Sequence, residues 1–261
     1  MPAKEVAESE YTKEYYLWVN DGHQEFRESG GSKLPKRLQD AVDLAQLKSG
    51  QKVLDVGCGR GEIIMHAAKQ GCEAYGVDYS VAAIDIATEA IKKNKSTAKV
   101  IKISSEKMPF EGSFFDTAFL TDVVEHLTPE QLRSTLAEIY RALKAGGKLI
   151  ITTSPNNLLS KPLYTASKLV GIKRGNVNEK VHINEQNYFK LNKMLRKAGF
   201  STKFSFSLDV HWFKNTHAYA KHKKFMRPIT NLIENKTTQA IIANTPLKIF
   251  LSTEITCIAK K

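Results

Sequence analysis

At 261 residues, 42% hydrophobic and 25% charged, the chain can bury the core of one α/β domain with embellishments. It has no apolar run of 18 residues and no CxxC spacing among its three cysteines, which excludes a membrane-spanning helix and a disulfide framework; the polar start "MPAKEVAESE" does not read as a signal peptide, so a reduced, cytoplasmic protein is expected. The net charge of +12 is uneven: residues 1–156 hold 20 Lys+Arg and 22 Asp+Glu, whereas residues 157–261 hold 19 and 5, so an anionic partner competes with a solvated basic face as the reason for the excess.

Residues 1–33 form an aromatic-rich cap segment containing "EYTKEYYLWVNDGHQEF", ahead of a single domain over 34–261. The amphipathic helix "SKLPKRLQDAVDLAQL" comes next, and then "VLDVGCGRGE" (53–62), a buried strand that runs into a side-chain-poor turn and opens a helix. Alternating patterns place strands at 52–57, 73–78, 98–103, 114–121 and 147–154, and helices near 61–70, 82–94 and 129–144. In the last helix Thr128 can cap, Pro129 suits the first turn, Leu132, Leu136, Ile139 and Leu143 share a face, and Gly146–Gly147 stop it. A further helix near 185–198 precedes "GFSTKFSFSLDV" and "IFLSTEITCIAKK", two strands expected to pair antiparallel at one edge. Strands alternating with helices predict a mostly parallel sheet covered on both faces. Two basic insertions, 157–180 and 211–248, fall outside this alternation.

The glycine turn asks which nucleotide it serves. Gly57, Gly59 and Gly61 give GxGxG rather than the dinucleotide GxGxxG, and no Lys-Ser/Thr follows, so a phosphate loop fails as well. Asp55, two residues before the first glycine, would repel a pyrophosphate and suits a cation. Asp78 in "AYGVDYS" lies 23 positions later, where a strand–helix–strand unit delivers an acid to a ribose. A ligand with an ammonium, a ribose and no phosphate fits, and S-adenosylmethionine is one. Cys58 among the glycines is read as packing rather than as a nucleophile.

With "SSEKMPFEGSFFDTAFLTDVVEHL" and "RALKAGGKLIITTSPN" following in order, residues 34–200 resemble class I S-adenosylmethionine-dependent methyltransferases, in the style of the quinone-biosynthesis O-methyltransferase branch. The resemblance implies a Rossmann-like seven-stranded sheet of order 3-2-1-4-5-7-6 with strand 7 antiparallel. It implies S-adenosylmethionine as cofactor, held by Asp55, Gly57, Cys58, Gly59 and Gly61 at the methionyl side and by Asp78 at the ribose. Tyr79, Ser80, Ser105 and Glu106 would border the adenine, and Thr121 and Asp122 the sulfonium. Ser104 stands where the family often has Asp.

Methyl transfer is an in-line displacement in which the protein aligns the acceptor, with a base where the acceptor must lose a proton. His126 in "DVVEHL", at the end of the fourth strand, is the first candidate base and His182 the second; packing and loop bracing are the competing roles. Asp122-x-x-Glu125-His126 with His182 is similar to the ligand set of two metal-assisted branches, but the leading Asp is shorter than the usual Glu and no metal is assigned. The expected acceptor is a small molecule, anionic or lipid-linked, methylated on oxygen. An RNA methyltransferase drawing on the basic C-terminal part, and a cofactor-binding scaffold without catalysis, are the alternatives. The insertions are expected to form a basic lid, with Leu158, Leu159, Leu163, Tyr164 and Leu169 covering the pocket and Ile229, Leu232, Ile233, Ala240 and Ile241 facing inward. A shallow membrane contact is the rival reading.

Overall fold

The computed structural model describes residues 5–103, 107–153, 158, 181–207 and 217–261, without the side chains of 217–222, 225, 226 and 229. Seven strands, Lys52–Val56 (β1), Glu73–Asp78 (β2), Lys99–Lys102 (β3), Phe115–Thr121 (β4), Leu143–Thr153 (β5), Ser201–Ser207 (β6) and Glu254–Lys260 (β7), make one sheet in the order β3-β2-β1-β4-β5-β7-β6. Strands β1 to β5 pair in parallel, and β7 runs antiparallel to both β5 and β6. This is the order and the antiparallel strand that the resemblance implied.

The central strands are apolar at consecutive positions because both faces of the sheet are covered. Leu54, Leu120, Leu149 and Ile151 pack on Leu132, Leu136 and Ile139 of Pro129–Ala142, while Val53, Phe119 and Ile150 pack on Ala41, Val42, Ile63 and Ala67 from the other side. Each fully buried Leu or Ile contributes about 1.5–3 kcal/mol. In chain order the helices are His23–Ser29 (α1), Lys36–Ala45 (α2), Glu62–Lys69 (α3), Val81–Lys93 (α4), Pro129–Ala142 (α5), Tyr188–Lys197 (α6), His217–Glu234 (α7), Lys236–Ala243 (α8) and Lys248–Leu251 (α9).

Helix α5 starts as the sequence predicts. Thr128 Oγ1 accepts the Gln131 N–H at 3.2 Å and Gln131 Oε1 accepts the Thr128 N–H at 3.0 Å, with Pro129 opening the first turn. Its end differs. The helix stops at Ala142, short of the expected Gly146–Gly147, because Ser113 and Phe114 donate to the Arg141 and Ala142 carbonyls and Leu143 pairs with Phe115 in the sheet. The glycines belong to the early part of β5 instead, where Gly146 N–H bonds the Lys261 carbonyl.

The insertion between β6 and β7 is anchored at the edge of the sheet where the site lies. Thr253 N–H donates to Ser207 O at 2.8 Å, and Ile255 faces Thr153 at the carboxyl end of β5. The expected inward side of this insertion is corrected: Leu232 is 63% and Ile241 55% exposed, Ala240 is also exposed, and Ile233 is half-buried. Helices α8 and α9 bury no residue, although α9 lies beside β6 and Phe250 beside Phe189 of α6. Apart from Leu158, the first insertion up to residue 180 lies outside the described residues. So do His211, Trp212 and Phe213 and the side chain of Ile229.

Candidate functional site

The crevice opens where β1, β2 and β4 end, the place an open α/β sheet offers a ligand. From Val56 the chain enters a turn in which Gly57, Gly59 and Gly61 all have positive φ, at 73°, 50° and 79°. Gly57 is needed on two counts: its φ suits only a residue without Cβ, and an added Cβ would lie 2.5 Å from Val123 Cγ2. The Gly57 and Cys58 N–H groups donate to the Val77 carbonyl, which ties the turn to the end of β2. Cys58 is buried, and burial first, then Asp78 and Asp55, pushes its thiol well above the ordinary range. The thiol stays protonated and packs against Gly76.

Asp55 is 2% exposed, and its Oδ1 has no hydrogen-bond partner. Burial, with Asp78 and Glu62 behind it, pushes its carboxyl up to about 8. A buried carboxylate oxygen left in this condition is a costly group that a ligand's ammonium could satisfy. Asp78 closes β2 with Oδ2 accepting the Gly59 N–H and Oδ1 the Ser80 N–H, both at 2.9 Å; burial raises its pKa despite those bonds. The carboxylate, which can accept about four hydrogen bonds, keeps capacity that a ribose hydroxyl could use. Ser80 has a local task as well. Its hydroxyl accepts the Ala83 N–H as the cap of α4 and donates to the Tyr11 carbonyl.

At the end of β4, Thr121 is nearly buried and Asp122 sits at φ 56°, a left-handed conformation tolerated by Asp and concentrated at functional sites. The Asp122 carboxylate pairs with Arg37 of α2, which also lies 3.5 Å from Asp21. Burial opposes the Arg37 charge, but Asp122 and Asp21 outweigh it and hold its pKa above the usual value. Glu125, 1% exposed, accepts the Thr153 hydroxyl at 3.1 Å, and burial followed by Asp122 pushes it up to about 8. His126 lies in the same turn. Its Nδ1 is 3.0 Å from Tyr11 Oη, and its centroid is 4.9 Å from that of His182. Burial first, then His182, pushes its pKa down to about 3, so the imidazole is neutral at ordinary pH.

The N-terminal segment, expected as an aromatic-rich cap, borders the site, and its particular contacts are what the sequence did not show. Tyr11 packs edge-on against Tyr79 at 5.4 Å and against His126 at 5.9 Å, while Tyr16 lies over Gly59. Arg60, 3% exposed in the glycine turn, fastens this segment down. It donates to the Tyr16 carbonyl at 2.9 Å and the Asp21 carbonyl at 2.7 Å, and it pairs with buried Glu62 at 2.9 Å. One signal was available: a bulky cation inside an otherwise small-residue turn, downstream of a dense aromatic stretch. Arg37 had none.

Thus Asp55, Gly57, Cys58, Gly59, Gly61, Asp78, Tyr79 and Ser80 line one end of the crevice, with Thr121, Asp122, His126 and His182 at the other; Ser104, Ser105 and Glu106 lie outside the described residues. The orphaned Asp55 oxygen and the acid at the end of β2 fit S-adenosylmethionine. Ligand atoms of Glu125, His126 and His182 also come within 4.8 Å of one another, a set that could hold a cation. Asp122, the expected leading acid of that set, turns to Arg37 instead.

Residues 54–151 match the family described as a methyltransferase domain. The chain is 30% identical over 196 residues to the ubiquinone/menaquinone biosynthesis C-methyltransferase of Methylococcus capsulatus, covering 66% of this chain and 75% of that protein. It is 34% identical over 121 residues to the mitochondrial ubiquinone biosynthesis O-methyltransferase of Schizosaccharomyces pombe, covering 44% and 42%. The crystal structure of a SAM-dependent methyltransferase from Archaeoglobus fulgidus shares the fold, with a TM-score of 0.59 at 22% identity over 95% of this chain and 99% of that one. Of two further curated relatives, the chain spans only 54% and 25% of the length.

Proposed function

The chain belongs to the S-adenosylmethionine-dependent methyltransferases, and from that premise we propose that it methylates an oxygen of a small-molecule acceptor, with Tyr11 and His126 carrying the acceptor's proton. The Tyr11 Oη to His126 Nδ1 contact at 3.0 Å, at the end of β4, carries this reading. In this reading Nδ1 holds the lone pair of the neutral imidazole and the phenol donates to it. Burial, then the neighbouring tyrosines, raises the Tyr11 pKa far above its ordinary value, so Tyr11 cannot ionise alone. It serves as a relay. As the new O–C bond forms, the acceptor O–H becomes that of a protonated ether, acidic enough for an imidazole held at about 3. It passes its proton to Tyr11 Oη while Tyr11 passes its own to His126, which then releases it.

S-adenosylmethionine, when bound, supplies a methyl carbon already activated by its sulfonium. Asp55 would hold the ammonium and Asp78 the ribose hydroxyls, while the aromatic segment over Gly59 excludes water from the reaction. Holding the acceptor in line accounts for roughly 7–11 kcal/mol of barrier lowering and proton transfer for a further 10²–10⁴-fold, on the usual scales.

Turnover on a panel of small hydroxyl acceptors tests the proposal. His126→Ala and Tyr11→Phe should each lower kcat by about 10²-fold or more, with S-adenosylhomocysteine affinity within about threefold of the parent. Full activity in both variants would remove the relay. Methyl transfer to carbon or nitrogen alone would move the acceptor class, and cofactor binding without any turnover would favour the scaffold. The clustering of Glu125, His126 and His182 supports a second reading, in which a divalent ion binds acceptor oxygens and His126 is a ligand. Activity abolished by a chelator and restored by a divalent ion selects it; activity indifferent to the chelator selects the relay.

A further inference from the structure

Antiparallel neighbours such as β6 and β7 need only a tight turn, yet residues 208–253 stand between them. The helices α7 to α9 within this stretch rise from the crevice edge, as the Thr253–Ser207 bond and the Ile255–Thr153 register require. Among their described side chains α8 and α9 bury none and α7 buries only Thr230, with Ile233 half-buried. Leu232, Ile241, Leu247 and Phe250 are 63%, 55%, 49% and 46% exposed, and the Phe250 ring lies 6.4 Å from that of Phe189, itself 53% exposed at the start of α6. Single exposed apolar residues are ordinary, but these five are most of the large exposed apolar side chains among the described residues, and they fall on successive helices or, for Leu247, at the cap of one.

The polar residues of the same helices are of one sign. Residues 217–251 carry six Lys or Arg and one carboxylate, Glu234. Lys223, Lys224, Arg227 and Lys236 are exposed, and among the described residues no carboxylate pairs with them; Lys193, one turn beyond Phe189, is exposed as well. A second copy of the chain would bring two such positive faces together. A nucleic acid would be gripped by the cations but gains little from Leu and Ile, which cannot stack on bases. Aliphatic and aromatic side chains flanked by lysines match the boundary between the headgroups and acyl chains of an anionic bilayer.

We infer that the α7–α9 face, with Phe189, docks on the surface of an anionic lipid bilayer and so sets the crevice mouth against the membrane. No helix among the described residues is long and apolar enough to cross a bilayer, so the contact is superficial.

Sedimentation of the full chain with phosphatidylcholine vesicles, with and without phosphatidylglycerol, is the test. The protein should partition onto the anionic vesicles and be released as salt shortens the Debye length to about 3 Å near 1 M. Lys223→Gln, Lys224→Gln and Arg227→Gln should together weaken binding about a hundredfold, roughly fivefold for each basic residue. Leu247→Ser with Phe250→Ser should weaken it too, and unchanged S-adenosylhomocysteine affinity reports that the variants are folded. Because lipid and salt dependence are read on the parent chain, a misfolded variant leaves the test intact. Absence of vesicle binding by the parent chain would overturn the inference, as would equal binding to pure phosphatidylcholine or binding indifferent to both sets of substitutions. So would a concentration-dependent dimer that Leu247→Ser and Phe250→Ser abolish while vesicles stay unbound, which would assign the face to a second copy.

Discussion

Replacing Asp55 by Asn keeps the shape of a buried side chain while removing its charge, and the structure gives both the sign and the size of the result. Burial, then Asp78 and Glu62, pushes the folded carboxyl up to about 8, against an ordinary 3.8. A raised folded pKa means that the native state binds the proton more tightly than the unfolded chain. The group therefore costs no stability below about pH 4, and its penalty grows as pH rises to about 8 and is constant above. Between about pH 5 and pH 8 that is three units at 1.36 kcal/mol each, or about 4 kcal/mol. Asn does not titrate, so the difference in unfolding free energy between Asp55→Asn and the parent should move by about that amount in favour of the variant over this range. Its absolute offset is set by how well the amide is satisfied, a matter of about 1–3 kcal/mol. For a chain of this size the swing corresponds to roughly 8–16 °C in the unfolding midpoint. Urea titrations of the cofactor-free proteins at both pH values measure it directly. Calorimetry with S-adenosylhomocysteine should show the opposite cost, an affinity lower by about 1.5–3 kcal/mol through loss of a charged partner. A free-energy difference that stays constant between the two pH values would refute the reasoning, since Asp55 would then be charged in the fold at no expense.

Asp78→Ala should weaken S-adenosylhomocysteine binding by about 1–3 kcal/mol in calorimetry, because ribose hydroxyls would lose their acceptor; unchanged affinity would remove the ribose assignment. Arg60→Met should destabilise the chain by about 3–5 kcal/mol, since Glu62, 4% exposed, would keep a buried charge without its partner. Arg60→Met with Glu62→Gln should regain most of that loss in denaturant titration, yet amide exchange over residues 11–21 should stay faster than in the parent, because the bonds to the Tyr16 and Asp21 carbonyls are still missing. Thr128→Ala removes the capping box of α5 and should cost about 1 kcal/mol of stability with no effect on cofactor affinity.

Much of this protein could be read residue by residue because the signals are local. Apolar runs at Val53–Val56 and Phe115–Thr121 mark strands buried on both faces, and Thr128-Pro129 with its i, i+3, i+4 apolar positions marks a capped helix. The spacing from Asp55 through the glycines to Asp78 fixes two acids at neighbouring strand ends, since β1 and β2 pair in register with one turn and one helix between them. Contacts between distant segments carry no such period. Tyr11 meets His126 across 115 positions, and Arg37 of α2 takes the Asp122 carboxylate that the sequence had grouped with Glu125 and His126. Arg60 in the glycine turn was legible as a residue but not as the clamp on Tyr16 and Asp21. The amphipathic pattern of Leu232 and Ile241 was equally plain, but it fixes only which residues share a helix face. Whether that face turns toward the core or toward solvent depends on what else the fold brings beside it, and here Leu232 and Ile241 stay exposed. The raised Asp55 and lowered His126 pKa values have the same origin, because burial and neighbouring charge are properties of the assembled crevice.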